Sequence, residues 1–212
     1  MDKHHNRQWT THLQYGWWQY ALLVILSVLL WTAVFDALAK PERNEKAGIV
    51  FFGDGLDASG LQADLSAAIA DLTGQEITYV DVYQTFVSSE NLGQILMART
   101  YDYDLLVLTS EYVDQLSAYG FFCELPDNLQ SGDIYTQEKD GQKVSYGIKI
   151  YEPGCQNRFS AFCSGEQAYY VFLSKESVNL AGLNGNGRQN DDAALRMLEY
   201  LLEEPYGADE EN

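Results

Sequence analysis

The sequence predicts an α/β fold: an N-terminal transmembrane helix, then a mostly parallel sheet with helices on both faces. Two observations carry this. An uncharged apolar run fills residues 17–35, and after it strand-length apolar runs alternate three times with helical spacings between residues 48 and 120. Strand-helix units in series form a parallel sheet covered by helices, with right-handed crossovers.

The elements follow in order. Residues 1–16 are a polar N-terminal segment, and Trp17–Phe35 reads WWQYALLVILSVLLWTAVF. At about 1.5 Å per residue such a run crosses a hydrocarbon core of roughly 30 Å. Trp17, Trp18 and Tyr20 stand at one end and Trp31 near the other, where amphipathic rings meet the bilayer interface. The span is set at residues 17–38, which makes the lipid bilayer a partner. Ala37-Leu38-Ala39 has the small-x-small spacing of a signal-peptidase site. The length of the run favours an uncleaved signal anchor over a cleaved leader.

Residues 39–47 form a polar linker, and residues 48–205 the α/β domain. Gly48–Gly53 (GIVFFG) is a strand. In residues 58–72, Leu61, Leu65, Ala68, Ile69 and Leu72 share one helical face, and Gly74 ends that helix. Ile77–Tyr83 is the second strand. Glu90–Arg99 is a helix capped by Ser88 or Ser89. Asp104–Thr109 (DLLVLT) is nearly all apolar, hence a central strand, and Ser110 caps a helix over residues 111–119. Residues 127–143 are polar and turn-rich. Strands follow at Val144–Tyr151 and Ala168–Ser174, with a loop between them. The glycine and asparagine loop Asn184–Asn190 precedes a last helix, Ala193–Glu204, capped by Asp191 or Asp192. Residues 206–212 are an acidic tail.

Of 212 residues, 13 are basic and 31 acidic, a net charge of −18. That excess repels phosphate backbones and excludes nucleic acid as a partner. It serves solubility, with an acidic face for a cationic ligand as the alternative. The cysteines are Cys123, Cys155 and Cys163, and none has the spacing of a zinc or CxxC redox site. Cys155 and Cys163 bracket a short polar loop. In an oxidising compartment they are placed to close it as a disulfide, with free thiols as the alternative.

From Gly48 to Asp127 the chain resembles the N-terminal lobe of extracellular solute-binding proteins of ABC transporters. The residues carrying this are the strand Tyr103-Asp104-Leu105-Leu106-Val107-Leu108, the helix ending at Gly120, and Phe121-Phe122-Cys123-Glu124-Leu125-Pro126. Tyr146–Ile150 resembles the return strand and Asp192–Glu204 the lobe-closing helix. The family carries a second lobe, which this chain replaces with a short loop, so it resembles one lobe of a periplasmic binding protein. The resemblance implies a cell-membrane protein with residues 1–16 cytoplasmic and the C-terminal domain extracellular. It also implies a non-catalytic domain that binds a small ligand weakly or docks onto a membrane protein partner. A pure protein-interaction or assembly subunit is the alternative.

The segment Ile49–Leu56 (IVFFGDGL) also resembles two enzyme openings. In the GDS-L block of serine hydrolases a serine stands where this chain has Gly55, so no nucleophile is supplied. In alkaline-phosphatase-like enzymes the aspartate binds metal together with histidines. The histidines here are His4, His5 and His12, all before the apolar run. No enzyme activity, cofactor or dedicated metal site is therefore expected; weak calcium binding at Asp54 and Asp57 is a lesser alternative. Open α/β sheets bind ligands beyond the carboxyl ends of their strands. That places the candidate ligand surface at Asp54, Gly55, Tyr83, Gln84, Thr109, Ser110 and Tyr151.

Overall fold

The computed structural model describes residues 3–39, 41–74, 77–130, 132–180 and 192–203. The chain divides into two compact units, Met1–Pro41 and Glu42–Asn212. The first unit is one helix, α1 (Lys3–Ala39), which takes in much of the segment read as a separate N-terminal stretch. Within it Gly16–Phe35 has a mean hydropathy of 1.9 over 20 residues, long and apolar enough to cross a membrane. Its apolar side chains face outward with no protein cover. Single-pass anchoring meets that description, and so does a signal sequence.

The second unit is an α/β sandwich. Its elements are β1 (Lys46–Phe52), α2 (Ala58–Thr73), β2 (Tyr79–Thr85), α3 (Leu92–Arg99), β3 (Leu105–Thr109) and α4 (Ser110–Asp114). They continue with β4 (Ile134–Lys139), β5 (Gln142–Tyr151), β6 (Tyr169–Leu173) and α5 (Ala193–Leu202). The strand order is β2-β1-β3-β6-β5-β4. β1 pairs with β2 and with β3 in parallel. The pairs β3–β6, β5–β6 and β4–β5 are antiparallel. The sheet is thus mixed, and the expectation of a mostly parallel sheet holds only for its first half. The reason lies in the connection after α4. Asp140 and Gly141 both have positive φ, 54° and 79°, the signature of a tight two-residue hairpin turn. That turn returns β5 antiparallel against β4, a strand missed within the turn-rich stretch because Ile134–Lys139 is largely polar.

Alternation along the strands divides the core into two layers. Ile49, Phe51, Leu105, Val107, Ile148 and Val171 face α2 and α5. Val50, Phe52, Leu106, Leu108, Tyr146 and Phe172 face α3 and α4. All five residues of β3 are buried, as its apolar sequence predicts for a central strand.

Caps and ends differ from the sequence reading at several points. Gly74 does end α2 in the left-handed conformation, φ 64°. Ser88 makes no side-chain cap bond, because a 3-10 turn over Ser89–Asn91 precedes α3. Thr109, not Ser110, caps α4, accepting from Tyr112 N–H at 3.4 Å. That helix is a single turn and does not run to residue 119, since a bend and a second 3-10 turn follow. Asp192 sits at the start of α5 with φ 64° and makes no side-chain cap bond. The predicted loop at residues 184–190, Asp191 and the acidic tail lie outside the described residues.

Below the amino ends of β1 and β3 lies a buried polar knot. Asp104 accepts hydrogen bonds from Gly48 N–H at 2.8 Å, Ser177 Oγ at 2.5 Å and Asn179 Nδ2 at 3.0 Å. Asn179 Nδ2 also reaches the Lys46 carbonyl at 2.9 Å. One carboxylate thereby ties β1, β3 and the segment after β6 together.

Candidate functional site

The predicted ligand surface begins at the turn between β1 and α2. Gly55 has φ +80°, and a Cβ there would lie 2.8 Å from Gly165 N. Its carbonyl accepts from Ser164 N–H at 2.8 Å, and Asp57 N–H donates to the Phe162 carbonyl at 2.8 Å. Residues 162–165 therefore lie against the turn. Asp57 is used locally, its Oδ1 accepting from Gly60 N–H at 2.9 Å to cap α2.

Four of the predicted residues, Asp54, Gly55, Gln84 and Tyr151, meet around this turn. Tyr169 Oη donates to the Asp54 carbonyl at 3.2 Å, and Tyr151 Oη to the Gly165 carbonyl at 2.8 Å. Gln84 Nε2 joins from β2, donating to the Gly53 carbonyl at 2.9 Å. Burial pushes the Tyr169 phenol up to about 12, and burial likewise raises that of Tyr151. Both rings are packed, hydrogen-bonded parts of the wall. Thr109 is spent on capping α4, Ser110 is exposed, and Tyr83 turns toward α3. Tyr83, Thr109 and Ser110 thus stand apart from the other four, whose hydrogen bonds here are to backbone groups; Gly55 and Tyr151 hold residues 164–165, and Gln84 holds the Gly53 carbonyl.

Gly55→Ala is expected to loosen this fastening. The left-handed φ and the short approach to Gly165 together cost about 2 kcal/mol. A lower urea midpoint with unchanged slope is the expected result; an unchanged midpoint would contradict it.

All three cysteines are free thiols, with Cys123 and Cys163 buried and Cys155 half-buried. Burial raises Cys123 to about 11 and also lifts Cys163. Such thiols stay protonated and unreactive at neutral pH. Among the described residues no three His, Cys, Asp or Glu side chains gather as a metal site.

The prominent surface lies elsewhere. Among the described residues of this unit, the large apolar side chains left exposed are Tyr79, Tyr83, Phe86, Met97 and Tyr101, from 38% exposed at Tyr83 to 73% at Phe86. All fall between residues 79 and 101, on β2, the turn after it and the end of α3. An open groove of about 670 Å³ runs along α3, lined by Glu90, Gln94, Met97, Tyr101 and Phe121 among others. On the β2 side of α3, cations stack on rings. The Arg99 guanidinium lies 4.6 Å from the Tyr83 ring centre, and Lys46 Nζ lies 5.1 Å from that of Tyr103. Lys46 also pairs with Asp81 at 2.7 Å. Burial first, and then the Asp81 charge, raise the Tyr103 phenol.

Of this surface, sequence reasoning placed only Tyr83, and for a different reason. A signal was present: Leu92 and Leu96 define the buried side of α3, and Met97 falls off it. Compared with protein-family models, curated proteins and solved structures, the chain gives no match.

Proposed function

We propose that this chain is a bilayer-tethered, non-catalytic interaction domain that docks onto a protein partner through its β2–α3 face. The observation that carries this is the confinement of the large exposed apolar side chains among the described residues of a strongly acidic unit, Tyr79, Tyr83, Phe86, Met97 and Tyr101, to the single stretch from β2 to just past α3. Contiguous apolar surface rimmed by polar groups marks interaction sites, and Tyr, Met and Arg are enriched in interface cores. The helix Gly16–Phe35 acts as the anchor in this reading. The domain stands outside the cytoplasm, as the resemblance to solute-binding proteins implies. That resemblance would give the parallel half of the sheet its origin, with docking in place of solute capture.

The test uses the full chain in its own membrane, extracted in mild detergent and run on native gels. The triple variant Phe86→Glu, Met97→Glu, Tyr101→Glu is expected to lose the slower-migrating complex. Lys143→Glu, on an exposed residue of β5, is expected to keep it. A complex untouched by the triple variant would remove the β2–α3 face from the account.

A further inference from the structure

The groove along α3 is lined by a helical stripe. Glu90, Gly93, Met97 and Tyr101 all border it, and Phe121 joins them from the turn after α4. The four are spaced three, four and four residues apart, which sets them along one side of α3 and its flanks. At the helical rise this stripe is about 16 Å long, or about three turns. Met97 is 62% exposed and Tyr101 55%. A Cβ at Gly93 would meet no atom within 4 Å, so the space above that position is open.

The floor of the groove decides what conformation fits it. A helix spends its backbone N–H and carbonyl groups on its own turns. An extended segment laid along α3 would find no ladder to join, and its backbone polar groups would lie unpaired over an apolar surface. A second helix arrives with its backbone already bonded and with an apolar stripe at matching spacing. The absence of a side chain at Gly93 lets that stripe come close. Charge decides the kind of helix. Glu90 is the one charged residue of the lining, exposed and in no ion pair among the described residues. At the Tyr101 end Arg43 is engaged: its guanidinium lies 5.8 Å from the Tyr101 ring centre and donates to the Glu176 carbonyl at 2.8 Å. The chain as a whole carries −18, which draws a cationic segment from a distance and repels an anionic one.

We propose that the partner protein enters this groove with a basic amphipathic α-helix, its apolar stripe seated along α3 against Met97, Tyr101 and Phe121 and a Lys or Arg beside Glu90. This rests on the reading of the β2–α3 face as an interaction surface and names what occupies it. Burial of Met97 and Tyr101 under the apolar stripe supplies the affinity, and Glu90 fixes which face of the helix turns inward.

The test uses the full chain in nanodiscs of zwitterionic lipid, with empty nanodiscs as the blank. Labelled synthetic peptides of equal length are the probes: leucines at helical spacing on a lysine background, the same composition shuffled so that no stripe forms, and the leucine stripe on a glutamate background. The lysine-stripe peptide is expected to bind about tenfold more tightly than the shuffled one, and the glutamate peptide to bind least. Gly93→Leu is expected to weaken the lysine-stripe peptide about tenfold by overpacking the groove. The new side chain enters open space and leucine is the better helix former, so this variant keeps its fold, which circular dichroism checks. Glu90→Gln is expected to weaken the same peptide by less. Equal binding of the striped and shuffled peptides, or undiminished binding to folded Gly93→Leu, would overturn the helix. The native gel separates this from the wider reading. A complex lost in both the triple variant and Gly93→Leu supports the helix; one lost in the triple variant but kept in Gly93→Leu overturns it and leaves the interaction face standing.

Discussion

Asp104→Ala is expected to remove a large share of the stability of the α/β unit. The carboxylate is fully buried and accepts from Gly48, Ser177 and Asn179. Truncation leaves three buried donors without an acceptor, each costing about 1–3 kcal/mol. Allowing for relaxation, a loss of about 3–5 kcal/mol is expected, against a total of about 5–15 kcal/mol for a typical domain. Asp104→Asn keeps the shape and one acceptor oxygen and should cost less. It also isolates the charge. Desolvation raises the Asp104 carboxyl above its ordinary range, against the opposing pull of its hydrogen bonds. The folded state therefore holds this proton more tightly than the unfolded chain. The stabilisation is complete below the unfolded carboxylate value near ~4 and is lost as pH rises through the folded one. Urea melts of both proteins at several pH values read this directly. The wild type should gain stability relative to Asp104→Asn as pH falls. A constant difference between the two would show that Asp104 does not titrate in the folded state.

The second large effect is expected at Phe172. This ring is fully buried on β6, 4.4 Å from the centre of Phe122 and 5.8 Å from that of Tyr135. Phe172→Ala deletes the centre of the layer under α3 and α4 and should cost about 3–5 kcal/mol. Gly147 lies directly across on β5. A Cβ there would sit 2.7 Å from Phe172 Cζ and closer still to its Cε1. Gly147→Ala should therefore cost about 1–3 kcal/mol by overpacking. The two effects share one cause and cannot add. In the Phe172→Ala background the alanine methyl enters the vacated space, so the double variant should be more stable than the sum of the single losses predicts. Strict additivity would contradict the contact.

Much of the fold was legible because burial on both sides leaves a plain mark. DLLVLT reads as a central strand, and all of β3 is buried. Leu61, Leu65 and Ile69 read as one helical face, and they are the buried residues of α2 together with Thr73. What escaped has physical reasons. β4 is an edge strand with polar side chains, so its apolar pattern is weak, and the Asp140-Gly141 turn was its one sharp signal. The α4 helix ends at Asp114 although Tyr112, Val113 and Leu116 keep helical spacing and pack in one layer, because the chain then bends into the 3-10 turn Ala118–Gly120. The site was less legible. The rule of strand carboxyl ends led to Asp54, Gly55 and Tyr151, which the fold uses to seat residues 164–169, and to Gln84, which holds the Gly53 carbonyl, each through a hydrogen bond that joins a backbone group to a residue distant in sequence. The α3 pattern set Met97 off the buried side, but the exposure of Phe86 and Tyr101, which lie outside that helix, depends on how the flanking turns lie against the sheet.

The central claim is that the β2–α3 face is where this chain meets another protein, and site-specific photocrosslinking tests it most directly. A photoreactive amino acid is placed at Met97 or Tyr101, and as a control at Lys143, in the full chain in its own membrane. Discrete adducts from the first two positions and none from the third are the predicted result. Adducts at Lys143 with none at Met97 or Tyr101 would contradict the account.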